Sequence, residues 1–290
     1  MSGGDRLPIS ELPDALDQIA ELEERLSRRR PAFFLDYDGT LTPIVERPEN
    51  AVIAESMRNA VRKLADMVPV CIVSGRDRRV VQLLMGIDDL IVAGSHGFDI
   101  WSPDGGTALH EEGSRHRGLM DRVESQLRDE LAAIPGALVE PKSSSVAAHY
   151  RLVPENERGR VQEVVQDLLA AHPDDLKVTP GRMVYEIQPK IDWDKGKAVL
   201  YLLDALDLNG PDVVPVYLGD DLTDEDAFAA LKGRGIGVFV GSSDPEQAGR
   251  ETAAQYALCD VEDAQEFLLK MLKVLSSRLS PRGGSAPGSP

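Results

Sequence analysis

The chain has 290 residues, of which 42% are hydrophobic and 28% charged, and its formal net charge is −17. That length suits one large domain or two modest ones, and the apolar content supplies a core without disulfide staples. The acidic surplus disfavours nucleic acid and anionic membrane as partners, and no apolar run reaches the roughly 18 residues of a membrane span.

Met1 to Ser10 reads as loose and lacks a charged-then-apolar signal pattern, so a cytoplasmic location is expected. From Leu12 to Arg30 the apolar residues Leu12, Ala15, Leu16, Ile19, Leu22 and Leu26 fall at three-to-four spacing, which predicts an amphipathic helix. The Arg28-Arg29-Arg30 run closes it, placing cations against the negative end of the helix dipole. Short runs rich in Val, Ile and Phe then alternate with helical patterns: Ala32–Leu35, Val68–Val73, Leu90–Ala93, Val213–Leu218 and Ile236–Val240. Such alternation predicts an α/β fold with a parallel sheet and helices on both faces. Runs this continuous fit strands buried on both sides. Cys71 and Cys259 each lie in an apolar run and read as buried thiols in strands.

The rhythm breaks between Ile100 and Pro189. A turn at Ser102–Gly106 precedes a helix over Arg115–Ala133 and strand-like runs at Ala137–Glu140 and Ser145–Leu152. A helix over Glu155–Ala171 follows, then strands Leu176–Thr179 and Met183–Ile187 around the Pro180-Gly181 turn signal. An α-β-β pattern used twice predicts a small antiparallel sheet covered by two helices. The expected division is an N-terminal segment 1–30, a discontinuous core of 31–101 and 190–279, an inserted domain 102–189 and a disordered Gly/Ser/Pro tail 280–290. Gly105-Gly106 and Lys190–Asp192 flank the insert and read as hinges.

Asp36-Tyr37-Asp38-Gly39-Thr40 directly follows the first apolar strand. In open α/β sheets ligands bind beyond the carboxyl ends of strands, so both carboxylates are placed toward a site. One can attack phosphorus while the other protonates the leaving oxygen and later activates water. Ser74-Gly75-Arg76 follows the second strand, where a hydroxyl and backbone amides suit a phosphoryl oxygen. Gly219-Asp220-Asp221-Leu222-Thr223-Asp224 follows Val213–Leu218, and its carboxylates suit an oxygen-preferring Mg²⁺. Lys195, in Asp194-Lys195-Gly196-Lys197 at a helix start, would supply the positive charge phosphoryl transfer needs. Lys197 competes for that role.

These motifs, in this order, resemble the haloacid dehalogenase superfamily of phosphohydrolases from Phe33 to about Glu266. The resemblance implies a Rossmann-like core with an inserted α+β cap of the αββαββ, C2 type. It implies Asp36 as nucleophile and metal ligand, and Asp38 as acid/base with its carbonyl on the metal. Ser74 would bind the phosphoryl group, Lys195 would neutralise it, and Asp220 would complete an Mg²⁺ site supported by Asp221 and Asp224. Within the superfamily, Ser74-Gly75-Arg76, Gly94-Ser95-His96-Gly97, Lys142 to Arg151, Glu186-Ile187-Gln188-Pro189 and Trp193 to Ala198 resemble the trehalose-6-phosphate phosphatases.

That resemblance implies a sugar-phosphate substrate bound with help from Gly75, Arg76, His96, Lys142, Arg151, Arg182 and Glu186. Polar side chains of this kind discriminate by hydroxyl pattern. Two positions depart from the family: Gln188 stands where arginine is frequent, and Phe98-Asp99 where a small residue and Glu are usual. Phosphatases for sucrose or glucosylglycerol phosphates, and a sugar phosphomutase, stand as alternatives. A non-catalytic module of this fold would have lost one of Asp36, Asp38, Lys195 or Asp220, all of which are present.

Overall fold

A computed structural model describes residues 6–45, 48–103, 106–109, 116–142, 145–181 and 183–279. The described residues fall into two compact units, one within Met1–Val73, Gln82–Leu90 and Lys195–Pro290, the other within Ser74–Val81 and Ile91–Asp194.

The first unit is built on parallel strands in the order Tyr256–Leu258, Ile236–Val240, Val213–Gly219, Arg30–Leu35, Val70–Val73. Every residue of Val213–Gly219 and Ile236–Val240 is buried, as are all but the first of Arg30–Leu35. Covering both faces removes the polar alternation of a half-exposed strand, which is why these segments are unbroken apolar runs. Helices supply the cover. In Glu55–Ala65 the buried residues Met57, Ala60, Val61 and Leu64 recur at three-to-four spacing. This helix packs on the C-terminal helix Val261–Leu279, whose start is fixed by the Asp260 carboxylate accepting the Asp263 N–H at 2.9 Å.

Three expectations are corrected here. Leu12–Arg30 is not one helix: the α-helix spans only Ile19–Leu26. Asp14 bridges to Ala257, Ala15 donates its N–H to the Ala257 carbonyl at 2.9 Å, and the Asp14 carboxylate takes the Leu16 N–H at 2.7 Å. Pairing at the sheet edge therefore holds residues that share the helix's apolar spacing. Nor are Leu7 to Ser10 loose, since Leu7–Pro8 pairs with Glu251–Thr252 and Ile9 is buried. Cys71 is buried in its strand as expected, whereas Cys259 is exposed. The strand ends at Leu258, and the Cys259 N–H turns to the Asp263 carboxylate.

The second unit holds an antiparallel set, Ile91–Gly94, Asp99–Ser102 and Gly106–Leu109, of which only the first was anticipated. Its other sheet has four strands in the order Leu138–Pro141, Val146–His149, Val184–Pro189, Leu176–Gly181, all antiparallel. Helices Arg117–Leu131 and Arg158–Ala171 close a core with it through Val123, Leu127, Val161, Leu168, Val146 and Ile187. The α-β-β pattern used twice is thus observed. Gly105, Arg115, Arg182 and Ser280–Pro290, named among the expectations, lie outside the described residues.

Candidate active site

Within the first unit the chemistry gathers where adjacent parallel strands end. Asp36 follows Arg30–Leu35 and donates its N–H to the Leu218 carbonyl of the neighbouring strand at 3.0 Å. Strand alternation sends Tyr37 to the opposite side, where it is fully buried and donates its O–H to the Ala51 carbonyl at 2.8 Å. The chain then turns tightly: the Gly39 N–H reaches the Thr42 carbonyl at 2.8 Å, and the N–H groups of Leu41 and Thr42 share the Tyr37 carbonyl at 2.9 and 3.0 Å. Gly39 has φ +76°, and a Cβ there would lie 2.0 Å from an Asp220 carboxylate oxygen. Only glycine meets both demands.

Lys195 opens the helix Lys195–Ala205 and is 2% exposed. Its Nζ lies 2.7 Å from Asp224 Oδ1, 3.1 Å from Asp36 Oδ2 and 3.9 Å from Asp221 Oδ1. Burial alone would lower its pKa, but Asp224 and Asp36 outweigh that and push it up, so the ammonium is fixed in its charged form. Of the two candidate lysines, it is Lys195 that stands against Asp36.

Asp224 is the hub of this cluster. Its Oδ1 accepts from Lys195 and from the Tyr217 hydroxyl at 2.6 Å, while its Oδ2 accepts the N–H groups of Asp220 and Asp221 at 2.9 and 3.0 Å. Four donors fill the lone-pair positions of one carboxylate. Asp221 in turn accepts the Thr223 N–H and hydroxyl at 2.8 and 2.7 Å, closing the turn into the helix Asp224–Ala230.

Oxygen atoms of Asp36, Asp220 and Asp224 lie within 4.8 Å of one another and could hold a metal ion. The donor set is all carboxylate, which suits a hard divalent cation. Asp224 is already saturated, so Asp36 and Asp220 are the better ligands and Asp224 the support. A divalent cation would relieve the electrostatics of this cluster. Burial raises the pKa of Asp36, with Asp224, Asp220 and Asp221 adding to the rise and Lys195 opposing it. Asp220 is pushed up to about 8 by burial together with Asp224 and Asp221.

Asp220 makes the metal-free fold sensitive to pH. Because its folded pKa lies above the ordinary 3.8, the folded state holds the extra proton between 3.8 and about 8. Metal-free stability therefore falls as pH rises through that window. Asp220→Asn removes the penalty and should stabilise the metal-free chain at pH 8 by about 1–3 kcal/mol, the gain fading toward pH 5. Calorimetry in chelator across that range checks it; a variant melting below the parent at pH 8 would contradict the assignment.

The second unit carries the remaining candidates. Ser74, 1% exposed, accepts the His96 N–H on its carbonyl at 2.9 Å and the Arg76 N–H on its Oγ at 3.2 Å. The His96 ring covers Gly75, where a Cβ would come within 2.7 Å of it. His96 has φ +57°, and its carbonyl accepts the Trp193 indole N–H at 3.1 Å. On the four-stranded sheet Glu186 pairs with Lys142 Nζ at 3.2 Å and accepts the Ser145 hydroxyl at 2.7 Å. Burial would raise the Glu186 pKa, but Lys142 and the Ser145 bond outweigh it and His96 adds to them, so the carboxylate is held below its usual range. Arg151 sits exposed in the turn after Val146–His149, and Arg182 lies outside the described residues. Both departures from the family pattern have structural occupations. Asp99 forms a buried pair with Arg78 at 2.7 Å and Phe98 packs on Trp193 with ring centroids 5.8 Å apart. Gln188 stands opposite Lys177 in the sheet.

Several supporting residues escape the motifs. Tyr217 reads as one more apolar strand residue. Arg250 reaches the carbonyl of Asp221 at 3.2 Å and Glu225 at 3.5 Å, bracing the carboxylate turn from 29 residues away. Ser145 reads as the first residue of a strand-like run. Each is found only through long-range packing.

Comparison with known proteins places these features in a family. The trehalose-phosphatase family model matches residues 34–262. The chain is 40% identical over 266 residues to a probable trehalose-phosphate phosphatase 4 of Oryza sativa subsp. japonica, covering 90% of this chain and 71% of the relative. It is 41% identical over 275 residues to a trehalose-phosphate phosphatase of Mycobacterium ulcerans, covering 94% and 69%. The C-terminal domain of the C. albicans trehalose-6-phosphate phosphatase shares the fold, with a TM-score of 0.72 at 23% identity over 91% of this chain and 99% of that one.

Proposed function

The chain belongs to the trehalose-phosphatase family, and we propose from that premise that it hydrolyses trehalose 6-phosphate to trehalose and phosphate through an aspartyl-phosphate on Asp36. The observation that carries the reading is the buried Lys195 ammonium 3.1 Å from Asp36, with Asp220 and Asp224 beside it where two parallel strands end. Asp36 Oδ attacks phosphorus as the bond to the sugar oxygen breaks, and Asp38 gives that oxygen its proton. Asp38 then takes a proton from water, whose oxygen attacks phosphorus and breaks the bond to Asp36, releasing phosphate. Lys195 opposes the burial-driven rise in the Asp36 pKa, favouring the ionised nucleophile, and offsets the charge of the incoming phosphate. Mg²⁺ held by Asp36, the Asp38 carbonyl and Asp220 would supply the further positive charge that two approaching anions require.

By the sequence resemblance, Ser74 serves the phosphoryl group, Gly75, Arg76 and His96 help bind the substrate, and Lys142, Arg151, Arg182 and Glu186 meet sugar hydroxyls or the phosphate. The Lys142–Ser145–Glu186 cluster supports the sugar assignment, since it offers both donors and an ionised acceptor to hydroxyls. The same reading includes a cytoplasmic location. Phosphate release from trehalose 6-phosphate, sucrose 6-phosphate and glucosylglycerol phosphate, each with Mg²⁺ and with chelator, tests it. Release is expected with Mg²⁺ and fastest from trehalose 6-phosphate. Faster release from either other ester would reassign the substrate, and metal-independent release would remove the metal from the reading.

A further inference from the structure

The first unit carries a second charged feature at the other end of its sheet. A pocket of about 220 Å³ is lined by Arg25, Arg29, Val214, Gly233 and Arg234. Arg29 immediately precedes the strand Arg30–Leu35, Val214 is near the start of Val213–Gly219, and Arg234 precedes Ile236–Val240. Asp36 and Asp220 follow the opposite ends of the first two strands. At about 3.3 Å per residue, six residues of strand separate the pocket from the carboxylate cluster by roughly 20 Å.

Two of the three arginines are held by uncharged acceptors. Arg25 donates to the Tyr256 hydroxyl at 3.0 Å and the Gly235 carbonyl at 3.2 Å, and Arg234 donates to the Asn209 side-chain carbonyl at 3.0 Å. All of these acceptors are uncharged. Among the described residues no carboxylate pairs with Arg25, Arg29 or Arg234. Of the carboxylates close by, Glu21 reaches Arg25 only through the shared Tyr256 hydroxyl, whose O–H it accepts at 2.6 Å, and Asp212 pairs with Arg30 at 2.8 Å. The chain has 49 acidic residues against 32 Lys and Arg, so unpaired arginines gathered in one pocket run against its composition. Proximity to the end of the helix Ile19–Leu26 accounts for Arg25 and Arg29 as dipole partners. It does not account for Arg234, which arrives from a different turn.

We propose that this pocket binds a small phosphate-class oxyanion, as free phosphate or as the phosphoryl group of a metabolite. Guanidinium forks match phosphate oxygens in shape and charge. Screening over about 8 Å at physiological salt lets local arginines outweigh the distant acidic surplus. The site is separate from the carboxylate cluster.

The test follows the side-chain Nε–H NMR signals of the full-length chain during titration with inorganic phosphate, without Mg²⁺ and at constant ionic strength. A chloride titration and a hexose 6-phosphate titration run in parallel. Saturable shifts at Arg25, Arg29 and Arg234 are expected with phosphate and absent with chloride. Arg29→Gln and Arg234→Gln, both at exposed positions, should keep the parental melting temperature and weaken binding by about tenfold or more. Tighter binding of hexose 6-phosphate than of phosphate would identify a metabolite as the ligand; equal or weaker binding would identify free phosphate. Shifts that do not saturate, that chloride reproduces, or that survive Arg234→Gln with unchanged affinity would overturn the proposal.

Discussion

An Asp36→Asn variant is expected to lose phosphate release by on the order of 10⁴-fold or more while remaining folded. The amide keeps the size of the side chain but gives up the attacking oxygen anion. It also gives up one of the two carboxylates best placed for a cation. The fold should survive because Lys195 keeps its 2.7 Å contact to Asp224 and Asp224 keeps its other donors. Burial holds the Asp36 pKa high in the metal-free chain, so removing its charge relieves a desolvation cost. Steady-state release from trehalose 6-phosphate with Mg²⁺, beside a melting curve in chelator, separates the two effects. Parental turnover from a correctly folded variant would refute Asp36 as nucleophile.

The positions of Asp36 and Asp220 were legible because each ends an unbroken apolar run, and such a run in an α/β sheet points its carboxyl end at the site. Lys195 was legible from the helix start and the glycine after it. What could not be read was the set of contacts that gives each carboxylate a different task. The family resemblance sets Asp220 apart as a metal ligand but leaves Asp221 and Asp224 as equivalent supports. Only the Tyr217 hydroxyl, the Lys195 ammonium and two backbone N–H groups converging on Asp224 single it out as the saturated support. The N-terminal segment failed for a related reason. The apolar spacing from Leu12 onward satisfies a helix, but a sheet edge 242 residues away, at Ala257, offers Ala15 a backbone partner. Periodicity reports which face is buried and is silent on a distant competitor for the same backbone groups.

Lys195→Met is the substitution expected to cost most in stability. It leaves Asp36 and Asp224 buried at 5% and 0% exposure with their shared counter-charge gone. Breaking a buried pair by removing one partner typically costs about 3–5 kcal/mol, a large share of the roughly 5–15 kcal/mol that holds a domain together. Burial already lifts the folded pKa of both carboxylates, and Lys195 is the largest influence opposing the lift. Without it both rise further, so the folded variant binds protons more tightly than its unfolded chain. Its deficit is then greatest at high pH and shrinks as pH falls toward the ordinary carboxylate value, where both states are protonated. Adding Asp36→Asn to Lys195→Met removes one stranded charge and should recover part of the loss, although each change alone destroys activity. Chemical denaturation of the two single variants and the double variant in chelator, at pH 5.5 and 8, measures the coupling. A double variant no more stable than Lys195→Met, or a deficit that grows as pH falls, would mean that Lys195 acts by packing instead of by charge.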